Sequence, residues 1–171
     1  MDVDRLIDRM IQAAKLDASL YEEVEADAEA MNQAIAVVVL SSLAAGLGYV
    51  GELGLTGLLI GTVASLVAWV IWAFLTYLIG TKLLPVEQTE SDMGELLRTI
   101  GFSSSPGLLK IFGVIPNLGP LIVFGASIWM LVAMVIAVRQ ALDYESTARA
   151  IGVCVIGWFV MAVLNSVLLT L

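Results

Sequence analysis

The sequence predicts an all-α integral membrane protein, a polytopic bundle of five transmembrane helices preceded by amphipathic N-terminal helices. Three observations predict it. Hydrophobic residues make up 60% of the 171 positions and charged residues 14%, against roughly 45–50% and about 25% in soluble domains. A chain this poor in polar groups cannot cover its surface against water, so lipid is the outer solvent. Apolar runs near spanning length recur along the chain. Acid is kept away from them: nine of the sixteen carboxylates precede Met31. The net charge of −8 therefore belongs largely to an N-terminal segment, 1–31, and the apolar bundle to 32–171.

Each element has its own signal. Leu6, Ile7, Met10, Ile11 and Ala14 recur at helical spacing, with Arg5, Asp8, Arg9 and Lys15 largely off that stripe. They predict an amphipathic helix lying on a surface or packed on a partner. Asp17 or Ser19 caps a second helix, with Glu22 and Glu23 in its first turn. It carries the acids to Met31 and runs on toward the membrane. The first span is 34–50, ending in the small residues Ser41, Ser42, Ala44, Ala45 and Gly46, which let helices approach closely. A break at Gly51–Gly57 leads to a second span, 58–79, where Gly57 and Gly61 form a GxxxG spacing.

The polar loop from Lys82 to Arg98 contains Ser91 and Asp92, either of which caps a short helix. The third span, 95–115, is broken. Ser103, Ser104, Ser105, Pro106 and Gly107 interrupt it, Pro106 lacks an amide donor, and Lys110 lies inside the run. The alternative is four spans plus a re-entrant segment, tolerated only where protein covers its freed backbone. Pro116, Asn117, Gly119 and Pro120 form a turn, with Pro120 placed for the first turn of the next helix. The last spans are 120–138 and 150–171, separated by a polar loop.

Lysine and arginine set the orientation. With five spans and the N-terminus cytoplasmic, seven of the eight basic residues lie inside and Lys110 alone lies outside. Four spans leave six inside and two outside. The count favours five spans with the C-terminus outside, in a bacterial cytoplasmic membrane. The first thirty residues lack the compact apolar run and cleavage site of a secretory signal.

Enzymatic chemistry finds no support. There is no His to act as base and no Walker, H-E-x-x-H or G-x-G-x-x-G motif. Serines 103–105 lack the spacing and His partner of a nucleophile elbow. With one Cys and no His, neither an internal disulfide nor an ordinary zinc site is expected, and no cofactor is implied. Cys154 reads as inert packing. The acidic N-terminal face disfavours nucleic acid. Ionisable groups at membrane depth mark function because they are costly there, and the spans are nearly free of them. Asn165 reads as interhelical packing glue. Lys110 is the best single functional candidate, either snorkelling to the surface or binding a lipid phosphate or a partner's carboxylate.

Several stretches together resemble the Yip family of membrane proteins, named for interaction with Rab-type GTPases. They are Leu16-Asp17-Ala18-Ser19-Leu20-Tyr21-Glu22-Glu23-Val24; Ile115-Pro116-Asn117-Leu118-Gly119 leading to Ile128-Trp129; Ile136-Ala137-Val138-Arg139-Gln140-Ala141-Leu142-Asp143-Tyr144; and Ser146-Thr147-Ala148-Arg149-Ala150. Their order is similar to that of bacterial members, over 16–171. The resemblance implies five helices, a cytoplasmic N-terminus and an outside C-terminus. The resemblance implies that eukaryotic relatives act in vesicle trafficking through GTPases and partner membrane proteins, with an acidic-aromatic motif of the D-L-Y-G-P kind on a longer cytosolic N-terminus. Here Glu22-Glu23 follow Leu20-Tyr21, so that role is not carried over, and the resemblance brings no catalytic residue. The expected function is a non-enzymatic multi-pass protein that organises membrane or assembles with other membrane proteins or itself, possible also as an accessory subunit of a larger complex. The alternative is a small-solute or lipid transporter using the broken helix 106–120.

Overall fold

The computed structural model describes residues 2–47, 50–87, 89 and 91–168, with side chains described except at 50–53, 164, 165, 167 and 168. Among these residues the chain is helical throughout, without strands.

Helix α1, Val3–Ala14, starts where the Asp2 carboxylate accepts the amides of Asp4 and Arg5. Leu16 adopts a positive φ of 64° and turns the chain into α2, Ala18–Ala26, capped by Asp17 through the Ser19 amide. The expected acids do not occupy the first turn of α2. Ala18 to Leu20 form it, so Glu22 and Glu23 lie further along. Nor does α2 run on toward the membrane. It ends at Asp27, whose carboxylate accepts the Glu29 amide and starts a short 3-10 turn over Ala28–Ala30. Helix α3, Met31–Leu47, follows.

Helix α4 spans Val50–Leu78 and widens into a π turn over Ile79–Leu83, closed by the Leu84 amide on the Ile79 carbonyl at 2.8 Å. The break expected over 51–57 is confined to Gly54, at φ 66° and ψ −174°, a conformation open to glycine alone. Helix α5, Met93–Phe102, begins with a full capping box. The Asp92 carboxylate takes the Glu95 amide while the Glu95 carboxylate takes the Asp92 amide, both at 2.8 Å. Asp92, rather than Ser91, is thus the cap, and it satisfies two otherwise orphaned amides.

The third predicted span is two pieces. Helix α5 stops at Phe102, and a 3-10 helix runs over Ser105–Val114 with Pro106 at its start. The cause is local. Proline at 106 cannot donate to the Phe102 carbonyl, so the Ser105 hydroxyl donates to it instead at 2.7 Å. Ser103 likewise donates to the Ile100 carbonyl. The freed acceptors at the break are satisfied by side chains, as burial in an apolar bundle requires. Ser103, Ser105, Pro106 and Gly107 are all buried. Helix α6, Gly119–Ala141, and helix α7, Thr147–Leu168, complete the chain.

Three helical stretches are long and apolar enough to cross a membrane: Ala28–Leu47, Gly54–Leu83 and Gly119–Ala141. Thr147–Val163 is apolar but shorter. Helix α6, at 23 residues, is about 34 Å long at 1.5 Å per residue, enough for a hydrocarbon core.

The bulkiest of the fully buried side chains lie mostly outside the middle of the long spans. Leu20, Tyr21 and Val24 of α2, Leu96 and Phe102 of α5, and Val138 and Leu142 at the end of α6 are fully buried together. The N-terminal helices are therefore part of the packed body. The buried stripe of α1 is Leu6, Arg9, Met10 and Ala13. This is rotated from the predicted stripe, because Ile7 and Ile11 face outward with Val3 and Arg9 faces in.

Candidate functional site

Two constructions stand out, one of charge and one of space. The first latches the N-terminal helices. Arg9, 2% exposed, donates to Glu23 and Asp27 at 2.6 Å each and to the Gln33 side-chain oxygen at 2.7 Å. Arg5 reaches the same two carboxylates at 3.2 Å. Hydrogen bonds from Arg9 hold both carboxyls below their ordinary range. From the other side, Arg98 of α5 donates to the carbonyls of Val24 and Glu25, satisfying the orphaned end of α2. The Trp129 indole, near the middle of α6, donates to the Ala14 carbonyl at 2.8 Å. Beside this latch Glu22, Glu25, Asp143 and Glu145 line a shallow acidic recess. Burial, then the charges of Asp143, Glu95 and Glu22, push the Glu25 carboxyl up to about 7.

The second construction is a cavity of about 500 Å³ between the long helices. Helical spacing brings its walls together. Helix α3 contributes Ser41 and Ser42, α4 contributes Ser65, Trp69 and Trp72, α6 contributes Ser127, Met130, Leu131 and Met134, and α7 contributes Trp158 and Met161. The break supplies Ser103, Ser104 and Lys110. A Cβ at Gly157 would come within 3.3 Å of the Trp72 ring, so glycine there makes room for the indole. Hydroxyls of Ser42, Ser65 and Ser127 donate to carbonyls one turn back, which leaves their lone pairs for other partners. The indole nitrogens of Trp69 and Trp72 are buried without an acceptor. Among the described residues no carboxylate lines the cavity or pairs with Lys110.

The residues singled out from sequence divide accordingly. Lys110, half-buried, lines the main cavity and also an adjoining one with Gly119 and Pro120. Pro106 is buried at the start of the 3-10 helix. Pro116 and Asn117 are exposed in the turn before α6, with Asn117 at a positive φ of 68° that asparagine tolerates. Gly119 is required there, because a Cβ would strike the Gly113 carbonyl. Gly57 and Gly61 are elsewhere, on α4. Nothing lies within 4 Å of a Cβ built on Gly61, so the GxxxG spacing does not serve packing within this chain at that residue. The side chain of Asn165 lies outside the described residues. Cys154 is buried and free, as expected of packing.

Sequence reasoning missed Trp69 and Trp72, read only as span residues, and Arg98, read as a loop charge. The Trp pair had a faint signal in its i, i+3 spacing beside Ser65. Arg98 had none.

An all-helical fold with spanning-length apolar helices around a largely apolar cavity defines an integral membrane bundle. A family model, the Yip1 domain, matches residues 21–168. The chain belongs to the Yip1 family, a family of non-enzymatic membrane proteins. Comparison with curated proteins finds no significant match. Comparison with solved structures finds none either.

Proposed function

We propose that this protein is a five-span, non-enzymatic bundle that organises membrane by assembling laterally with other membrane proteins or with copies of itself. A role as accessory subunit of a larger complex is one form of that reading. The N-terminus is cytoplasmic and the C-terminus outside, supported by the distribution of lysine and arginine. The observation that carries the reading is the bareness of α4. Only 11% of its most apolar window is buried, and Leu55, Leu59, Ile60, Val63 and Val67 face outward. Gly61 is also exposed and leaves open space beside it, with Gly57 one turn away, on another side of the same helix. Without a hydrophobic drive between helices in lipid, association relies on close packing, which small residues permit.

A mild-detergent pull-down of the tagged native protein, with mass spectrometry, tests the proposal. The expected result is a stoichiometric membrane partner or a discrete homo-oligomer. A clean monomer contradicts it. A second reading, transport of a lipid or small solute through the 106–120 region, is favoured by the cavity at Lys110. It predicts flux in liposomes that is lost in Lys110→Ala.

A further inference from the structure

We infer that the central cavity binds the phosphate of an anionic amphiphile, with the phosphate at Lys110 and the two indoles and an acyl chain leaving between α6 and α7. The inference needs neither lateral assembly nor net transport.

The donors carry the first half. A buried indole N–H nearly always finds a partner. Trp69, 9% exposed, and Trp72 have none within the protein, and both residues line the cavity, where a turn of the ring brings the nitrogen, closed off as it stands, to the wall. Ser41 and Ser104 line it as well, and their hydroxyls make no hydrogen bond among the described residues. Lys110 adds three donors and a positive charge. The walls thus offer donors and a cation, and no carboxylate opposes them. Such a set fits an oxygen-rich anion, and it penalises a cation or an acceptor-free solute.

The shape carries the second half. The remaining walls are apolar: Ala68, Met130, Leu131, Met134, Trp158 and Met161. Leu131, Met134 and Trp158 are shared with a groove that continues along Val135, Ile151, Cys154, Val155 and Phe159, between α6 and α7. Phe159 and Val155 are strongly exposed, so the groove opens outward onto the lipid-facing surface. A polar end joined to an apolar exit suits a molecule with one anionic head and a chain. Methionine lining adapts to chains of differing shape.

Phosphatidylglycerol, phosphatidylcholine and inorganic phosphate are the probes. The full-length protein is delipidated in mild detergent, and native mass spectrometry follows retained lipid. Saturable retention of phosphatidylglycerol over phosphatidylcholine is expected. Loss of a charge-assisted contact weakens it by about ten-fold in Lys110→Gln, while Lys110→Arg retains it. Trp69→Phe with Trp72→Phe weakens it too, and serves if Lys110→Gln fails to fold. Displacement of retained phosphatidylglycerol by inorganic phosphate supports the shared anion site, whereas phosphate binding without selective lipid retention assigns the site to a free anion and overturns the amphiphile. Equal retention of both lipids, or unchanged retention in folded Lys110→Gln, overturns the inference.

Discussion

Glu25 is the residue whose surroundings are least favourable to its charge. It is half-buried at the end of α2, facing Asp143, Glu95 and Glu22, with Arg98 as partial compensation. Its carboxyl titrates at about 7 in the fold, above the ordinary 4.5. A group with a raised folded pKa contributes stability fully below its unfolded pKa and loses it as pH rises through the folded value. Thermal unfolding in detergent is therefore expected at higher temperature near about pH 5.5 than near about pH 8. Glu25→Gln flattens that slope and raises Tm at the alkaline end. Glu23 and Asp27 work in the opposite sense. Their lowered pKa values place their contribution above the ordinary carboxylate range, and it is lost only under stronger acid. An unchanged pH slope in Glu25→Gln would show that Glu25 is not its source. None of this was legible in the chain alone. A run of acids reads as a solvated face until the fold shows which one sits against Asp143, far away in sequence.

At the scale of elements, the break between α5 and the 3-10 helix and the latch of α1 and α2 are the features that matter. The break was legible because its cause is covalent: proline at 106 has no amide whatever the tertiary setting. So was the turn before α6, because Asn117 and Gly119 mark special backbone. Asp92 was one of the two caps the sequence offered, and the box that it forms with Glu95 was present in their spacing. The rotation of the α1 stripe was not legible, since Ile7 and Arg9 exchange their usual preferences. Arg9 is buried because Glu23, Asp27 and Gln33 surround it, and those partners belong to other elements. Ile7, Ile11 and Val3 face outward on the side of a helix tied to the middle of α6 through Trp129. Arg98 holds α2 from α5, and its removal leaves the Val24 and Glu25 carbonyls without their donor. Arg98→Ala is expected to cost roughly 2 kcal/mol of stability and to expose the N-terminal helices to limited proteolysis, with the long helices retained by circular dichroism. Proteolysis at the wild-type rate would show that Arg98 does not hold the latch.

At the scale of the whole molecule, hydropathy identified a membrane protein, while the family likeness came from short stretches in a shared order. What hydropathy missed is that the heart of the core lies where α2, α5 and the end of α6 meet. An amphipathic helix packed on its own chain and one lying on lipid have the same periodicity. The cavity was hidden for a similar reason: its serines and tryptophans are scattered over five elements, and each is ordinary in isolation. The sequence nevertheless pointed to Lys110, since a cation in an apolar run is costly to keep. Most of the lipid-facing surface then belongs to α4, α6 and α7, and α4 is the barest of the spans.

The central claim is that this bare face meets another protein. The direct measurement is photo-crosslinking in native membranes from a probe placed at Val63, on that face, with a probe at buried Ala73 as the control. Lateral assembly predicts a discrete protein adduct from position 63 and none from position 73. Adducts to lipid alone from position 63 would contradict it.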